Sequence, residues 1–263
     1  METPENVIEV SGLSVGYGGR AILENIDFNV RHGEIFGILG GSGCGKSTLL
    51  KHLIGLHRPL CGNIRILGHD LNLAGYGERR ELMRRFGVTY QGGALFGSMT
   101  LLENVMLPLE EFSVMSAAER EKKALEKLDL VGLSDFADYS PAEISGGMTK
   151  RAGLARALAL DPELLFFDEP SAGLDPITSA GLDKLILSLR DRSGAAIVMV
   201  SHELESIFSI VDRVIVLDRA AHGIIDSGDP RFMREHSENK IVREFLNRDG
   251  MTREHYEYHG EKE

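Results

Sequence analysis

The chain of 263 residues has only two cysteines, Cys44 and Cys61, and their spacing matches neither a disulfide framework nor a zinc site. That excludes a disulfide-built scaffold and fits a reducing compartment. No apolar run reaches the roughly 18 residues that a membrane-spanning helix needs. The start, METPENVIEV, lacks the basic and apolar segments of a signal peptide. Positive charge is also short: 29 Lys and Arg against 40 Asp and Glu leave a net charge of -11 and a pI near 5.3. A protein that grips nucleic-acid phosphates is not built this way. Internal repeats and low-complexity linkers are missing too. What is there is an ordinary globular composition, 43% hydrophobic, with 30 glycines that cluster in turns. The length allows one large domain with a sizeable core. Any work at a membrane is expected to run through a partner.

Hydrophobic spacing gives the organisation. Ile26, Phe28 and Val30 alternate with Asp27, Asn29 and Arg31, the pattern of a half-buried strand. Short strands at 7–10 and 64–67 complete an expected antiparallel layer. The apolar strand 35–39, a glycine-rich turn and a helix over 46–56 form the opening of a nucleotide-binding α/β unit. Residues 92–160 read mostly as helix, with 118–130 the clearest amphipathic segment. Asp161-Pro162 ends that region, and apolar strands follow at 164–167, 196–200 and 214–217. Helices between the strands point to a parallel sheet. The spacing predicts an α/β core over 1–91 and 161–228, a helical insertion over 92–160 and a polar extension over 229–263.

Three motifs carry chemistry. Gly40-Gly41-Ser42-Gly43-Cys44-Gly45-Lys46-Ser47 is a full P-loop. Its glycines let successive backbone N–H groups face phosphate oxygens, and the helix that starts at Lys46, Ser47 and Thr48 adds its positive end. Lys46 is expected on the β- and γ-phosphates of ATP and Ser47 on Mg²⁺. The apolar strand 164–167 ends in Asp168-Glu169. Asp168 is expected to hold Mg²⁺, and Glu169 to act as general base on the attacking water. The third motif is Ser145-Gly146-Gly147-Met148 at a predicted helix start, with Ser145 as N-cap, a second anion-binding helix end. One nucleotide does not need two of these in one chain.

With these residues in this order, the sequence resembles an ABC-type ATPase over about residues 7–228. The resemblance implies a P-loop core with an antiparallel β subdomain and an inserted helical subdomain. It also implies that the serine–glycine motif of one copy completes the ATP site of a second copy. Met148 stands where the family carries glutamine. By the same resemblance Tyr17 stacks on adenine, and Gln91 senses Mg²⁺ and the attacking water. Ser171-Ala172-Gly173-Leu174-Asp175 crosses the dimer seam, with Asp175 at the nucleotide, and His202 contacts the γ-phosphate.

After Gln91 the chain reads Gly93-Ala94-Leu95-Phe96, then Glu103-Asn104-Val105. With the SGGM variant, this is similar to the Mla-type ATPases that energise phospholipid movement between the two membranes of Gram-negative cells. The similarity implies a peripheral protein at the cytoplasmic face of the inner membrane. Its partners would be a second copy, an integral membrane permease, an MCE-domain protein and a small regulatory subunit, with no nucleic acid. An ATPase for small solutes and a non-transport ABC protein are the alternatives. Leu95 and Phe96 are either the permease groove or core residues. Cys44 reads as a filler of the loop, although a helix start also favours a thiolate that alkylating reagents attack. Met83, Met99, Met106 and Met115 read as core or interface packing. Ile241, Val242, Phe245 and Leu246 make an apolar stripe that packs either on this chain's core or on the second copy. Tyr256 and Tyr258 follow in a polar tail.

Overall fold

The computed structural model describes residues 6–248. The chain begins as a long hairpin, β1 (Asn6–Tyr17) and β2 (Arg20–Arg31), closed by Gly18-Gly19. Ile26, Phe28 and Val30 are buried and Asp27 and Arg31 exposed, as their alternation requires. β3 (Ile35–Gly40) leads through the P-loop into α1 (Lys46–Leu53). Gly55, at φ 75°, turns the chain away and stops α1 short of residue 56. β4 (Cys61–Ile66) and β5 (His69–Asp70) return to the hairpin, giving a four-stranded antiparallel sheet in the order β2-β1-β4-β5.

Next come α2 (Tyr76–Met83), β6 (Phe86–Thr89), α3 (Leu101–Phe112), α4 (Ala117–Leu130) and α5 (Gly146–Ala157). Local sequence sets their starts. Thr100 with Glu103 and Ser116 with Glu119 each form a reciprocal capping box, which satisfies first-turn N–H groups of α3 and α4. The chain then alternates: β7 (Leu164–Asp168), α6 (Pro176–Ser193), β8 (Ala196–Val200), α7 (Leu204–Ile210), β9 (Arg213–Asp218) and β10 (Gly223–Gly228). It ends with α8 (Pro230–His236) and α9 (Lys240–Asn247).

The second sheet runs β10-β9-β3-β8-β7-β6, all parallel except for β10. Both faces of its central strands are covered, so β3, β8 and β7 are almost continuously apolar. Leu165, Phe167, Ile197 and Met199 face the helical cluster. Leu164, Phe166, Val198 and Val200 face α1 and the antiparallel sheet. Phe166 and Phe167, neighbours in sequence, are both fully buried on opposite faces, and each such burial stabilises the fold by about 1.5–3 kcal/mol.

Three strands escape the sequence pattern, the two-residue β5 among them. β6 has four residues and contains Gly87, where a Cβ would lie 2.1 Å from the Ala157 carbonyl of α5. Close approach of α5 to the sheet demands that glycine, and the glycine hides the strand. β10 is a half-exposed edge and lacks a clear apolar face. Met106 and Met115 pack on the helical cluster, while Met83 is exposed. Val242 and Leu246 are buried in the same cluster as Phe167, with Phe245 packed against it. The stripe of α9 therefore packs on its own chain, and only Ile241 of the four is exposed. Tyr256 and Tyr258 lie outside the described residues.

Candidate functional site

Parallel strands deliver their carboxyl ends to one edge of a sheet, and ligands gather there. At this edge β3 ends in the P-loop, β7 in Asp168, β6 two residues before Gln91, and β8 two residues before His202. Val200 of β8 stands in register with Ile38 on one side and Asp168 on the other.

The P-loop is shaped by its neighbours. Gly40 has φ 143°, and a Cβ there would sit 2.3 Å from the Leu217 carbonyl and 2.7 Å from Cys44 Sγ. Gly41 and Gly43 face space in which a Cβ would meet no atom within 4 Å. The cap of α1, Gly45 at φ 106°, brings no side chain to the first-turn N–H groups, and no acid lies in that turn. The amides of Lys46, Ser47 and Thr48 thus keep the electropositive end of the helix available. Lys46 Nζ donates to the carbonyls of Gly40 and Gly41 at 2.8 and 2.9 Å, which curls the lysine over its own loop.

Asp168 and Glu169 differ sharply. Asp168 Oδ1 is buried with no hydrogen-bond partner among the described residues. Burial, then the neighbouring Glu169, pushes its carboxyl above the ordinary range, against the pull of Lys51 and Lys46. A buried carboxylate oxygen without a partner is a strained arrangement that a cation relieves. Ser47, exposed in the first turn of the P-loop helix, offers a further oxygen, and hard oxygen donors of this kind suit Mg²⁺. Glu169 has φ 53°, in the left-handed region. Its Oε2 lies 2.7 Å from His202 Nδ1 and accepts the His202 backbone N–H at 3.4 Å. An ionised carboxylate only accepts, so the ring nitrogen is the donor.

Tyr17, at the end of β1, is 43% exposed and meets His57 edge-on, with ring centroids 5.1 Å apart. It lines a cavity of about 440 Å³ with Arg20, Ile22, Gly43, Cys44 and Arg219. The hairpin thus carries Tyr17 to the flank of the P-loop. Arg20, Arg219 and His57 were not singled out in the sequence. Exposed single residues carry no pattern, and only the hairpin, the loop after α1 and the β9–β10 turn bring them here.

The serine–glycine motif opens a different helix. Ser145 caps α5: its Oγ accepts Met148 N–H at 3.3 Å. Gly146 faces open space, whereas a Cβ at Gly147 would lie 3.0 Å from Thr178. Met148, in the place of the family's glutamine, packs against the helical cluster.

At Cys44 the filler reading holds and the thiolate one does not. Cys44 is 3% exposed, and burial raises its thiol above the ordinary value despite the nearby Lys46. The helix start does not make it a thiolate, because the side chain turns into the core. Asp175 was expected at the nucleotide. Within this chain its carboxylate caps α6, accepting from the Thr178 hydroxyl at 2.5 Å and from the N–H groups of Thr178 and Ile177 at 3.1 Å each, and these bonds, the hydroxyl's first, lower its pKa. Leu95 and Phe96 divide between the two readings: Leu95 packs against the core, and Phe96 is 51% exposed. Fully buried Asn104 holds that loop, accepting Phe96 N–H at 2.8 Å and donating to the carbonyls of Phe96, Met99 and Thr100.

A family model described as ABC transporter matches residues 23–172. The probable ribonucleotide transport ATP-binding protein mkl of Mycobacterium leprae is 42% identical over 240 residues, covering 91% of this chain and 68% of that protein. The methionine import ATP-binding protein MetN of Lacticaseibacillus paracasei is 36% identical over 244 residues, covering 91% of this chain and 69% of that protein. Roughly a third of each relative lies outside the match. Among solved structures, a dimeric post-hydrolysis ATP-binding cassette bound to ADP and Pi has a TM-score of 0.76 at 30% identity, covering 84% of this chain and 98% of that one. The chain cbiO1 from Clostridium perfringens, part of the ABC transporter complex cbiONQ, has a TM-score of 0.79 at 26% identity, covering 93% and 96%.

Proposed function

The chain belongs to the ABC transporter ATP-binding family, and on that premise we propose that it hydrolyses ATP with Mg²⁺ in a head-to-tail homodimer to power phospholipid transport between two membranes. The observation that carries the hydrolytic reading is the convergence of Lys46, Asp168, Glu169 and His202 at one sheet edge. Lys46 leaves the Gly40 and Gly41 carbonyls for the β- and γ-phosphates, a stronger, charged acceptor. Tyr17 supports the base of the nucleotide, and the first-turn amides of α1 cradle its phosphates. Ser47 and Asp168 would hold Mg²⁺, and Gln91 would sense the cation and the attacking water. When bound, the cation neutralises charge on the phosphate oxygens. Glu169 takes a proton from the attacking water, and His202 keeps the carboxylate oriented through its 2.7 Å bond.

Ser145, Gly146 and Gly147 complete the site of a second copy. ATP binding closes the pair, and loss of the γ-phosphate contacts reopens it. The membrane reading is supported by exposed Phe96 on a loop that Asn104 holds in shape, a surface suited to a short helix of a permease. The described residues contain no helix long and apolar enough to cross a membrane. We place the protein peripherally on the cytoplasmic face of the inner membrane, with a permease, an MCE-domain protein and a small regulatory subunit as partners. Similarity to MetN favours a second reading, an importer ATPase for a small solute. Purification with its permease separates the two: an MCE-domain protein in the complex supports the first, a solute-binding protein the second.

Glu169→Gln is the direct test of the chemistry. It keeps the shape of the side chain and removes the base. The variant is expected to bind ATP, lose at least about 10²-fold in turnover and accumulate as an ATP-bound dimer on size exclusion. Undiminished turnover would remove Glu169 from the role.

A further inference from the structure

Lys150 lies one turn into α5, the helix that opens at Ser145. Its Nζ donates to the Ala172 carbonyl and lies 3.5 Å from the Glu169 carbonyl. Both carbonyls belong to the turn that leaves β7 and carries the carboxylate paired with His202. Glu169 adopts φ 53° there, a conformation that a residue with a side chain keeps only where its surroundings enforce it. Its own N–H is anchored on Val200 at 2.9 Å, and its carbonyl also accepts Ala172 N–H at 3.3 Å. Ser171, inside the same turn, has a buried hydroxyl without a partner among the described residues, so local bonds do not hold this segment completely.

Lys150 lines a small, mostly apolar cavity with Tyr90, Phe167 and Pro170. Burial holds Lys150 below the ordinary lysine range, against the pull of the Glu169 and Glu203 carboxylates. A side chain placed only to solubilise a helix face would leave its charge in water. Arg156 offers a comparison on the same helix. Its guanidinium donates to the carbonyls of Ala94 and Gly93 at 2.7 and 3.1 Å, so it grips the loop after Gln91. With Arg151 on the Val131 carbonyl at 2.9 Å, three cations of one helix hold three different segments, and only the one under Lys150 carries Glu169.

We propose that Lys150 is a positioning residue for hydrolysis: it ties the Glu169–Ala172 turn to the helix bearing Ser145, so that Glu169 is aligned only while that helix is seated. This rests on Glu169 as the base. Seating the helix against a partner's nucleotide then reaches the base through one side chain, without any movement of β7.

The test uses the full chain and steady-state ATP hydrolysis. Lys150→Met is expected to lower kcat by about ten- to hundred-fold, the scale of a displaced catalytic group. KM and ATP affinity should stay within about two-fold, because no phosphate contact is removed. Lys150→Arg, which keeps charge and donors, should recover a substantial part of kcat. Adding Lys150→Met to Glu169→Gln should slow the enzyme no further, because the two residues act as a unit. Failure of Lys150→Met to fold, parallel loss of affinity and rate, unchanged kcat, or additive losses in the double variant would each overturn the proposal. If Glu169→Gln alone kept full turnover, the base assignment would fail first, whatever Lys150 did.

Discussion

The two glycine-flanked helix starts, α1 and α5, are alike in sequence and opposite in construction. At α1 the loop is forced by positive φ at Gly40, Gly43 and Gly45, the first turn has no side-chain cap, and Lys46 curls over the loop's own carbonyls. At α5 neither Gly146 nor Gly147 has positive φ, and Ser145 caps the helix itself. The first is a preformed cradle, over-determined by its surroundings and left short of acceptors. The second is a self-satisfied helix end with one open face at Gly146. A site that must grip a phosphate in its own chain can hold strain that packing supports. A motif offered to another copy needs to be stable before that copy arrives.

The sharpest break in this comparison is a methyl group added on each side. Gly40→Ala drives a Cβ onto the Leu217 carbonyl at 2.3 Å and should destabilise the chain by about 2–4 kcal/mol. Gly146→Ala meets no atom within 4 Å and should change stability by less than about 1 kcal/mol, yet slow turnover by about ten-fold or more. Thermal melts beside ATPase rates check both. Equal stability losses would remove the distinction.

A smaller effect concerns the charge beside the P-loop. A carboxyl whose folded value is raised destabilises the folded state once it ionises. That cost is absent below the ordinary carboxylate range and fully present above the raised value of Asp168. Asp168→Asn should therefore raise the melting temperature of the nucleotide-free chain at pH 7. The gain should vanish in acid, and Mg²⁺-dependent turnover should be lost. A lower melting temperature at pH 7 would mean that Asp168 is satisfied in the free chain. The smallest perturbation is thiol labelling: exposed Cys61 should react at least about ten-fold faster than buried Cys44, with or without ATP. Comparable rates would show that the P-loop opens readily.

The legible parts were those fixed by short-range patterns. The P-loop, the Asp168-Glu169 strand end and the Ser145 cap each announce local backbone chemistry, and each stands where its spacing put it. The strands at 26–31 and 164–167 were legible because burial on one or both faces leaves a period in the residues. Gly87 was not, since its reason is the Ala157 carbonyl of a helix 70 residues later. At Cys44 a helix start speaks for a thiolate, while the direction of the side chain, into the core, is set by packing and decides for the filler. At Asp175 an acid before a proline at N1 also reads as an N-cap, and within this chain the cap takes the carboxylate. The stripe of α9 could not name its partner from spacing alone. Val242 and Leu246 find theirs in the cluster under the sheet.

The central claim is that α1 of one copy and α5 of another share each nucleotide. Mixed dimers of Ser145→Arg and Lys46→Ala test it most directly. With one lesion in each chain, a single composite site carries both and the other is intact, so about half of wild-type activity is expected if the sites turn over independently. With both lesions in one chain and a wild-type partner, each composite site carries one, and activity should be nearly lost. Equal residual activity in the two arrangements would contradict a site shared across the dimer.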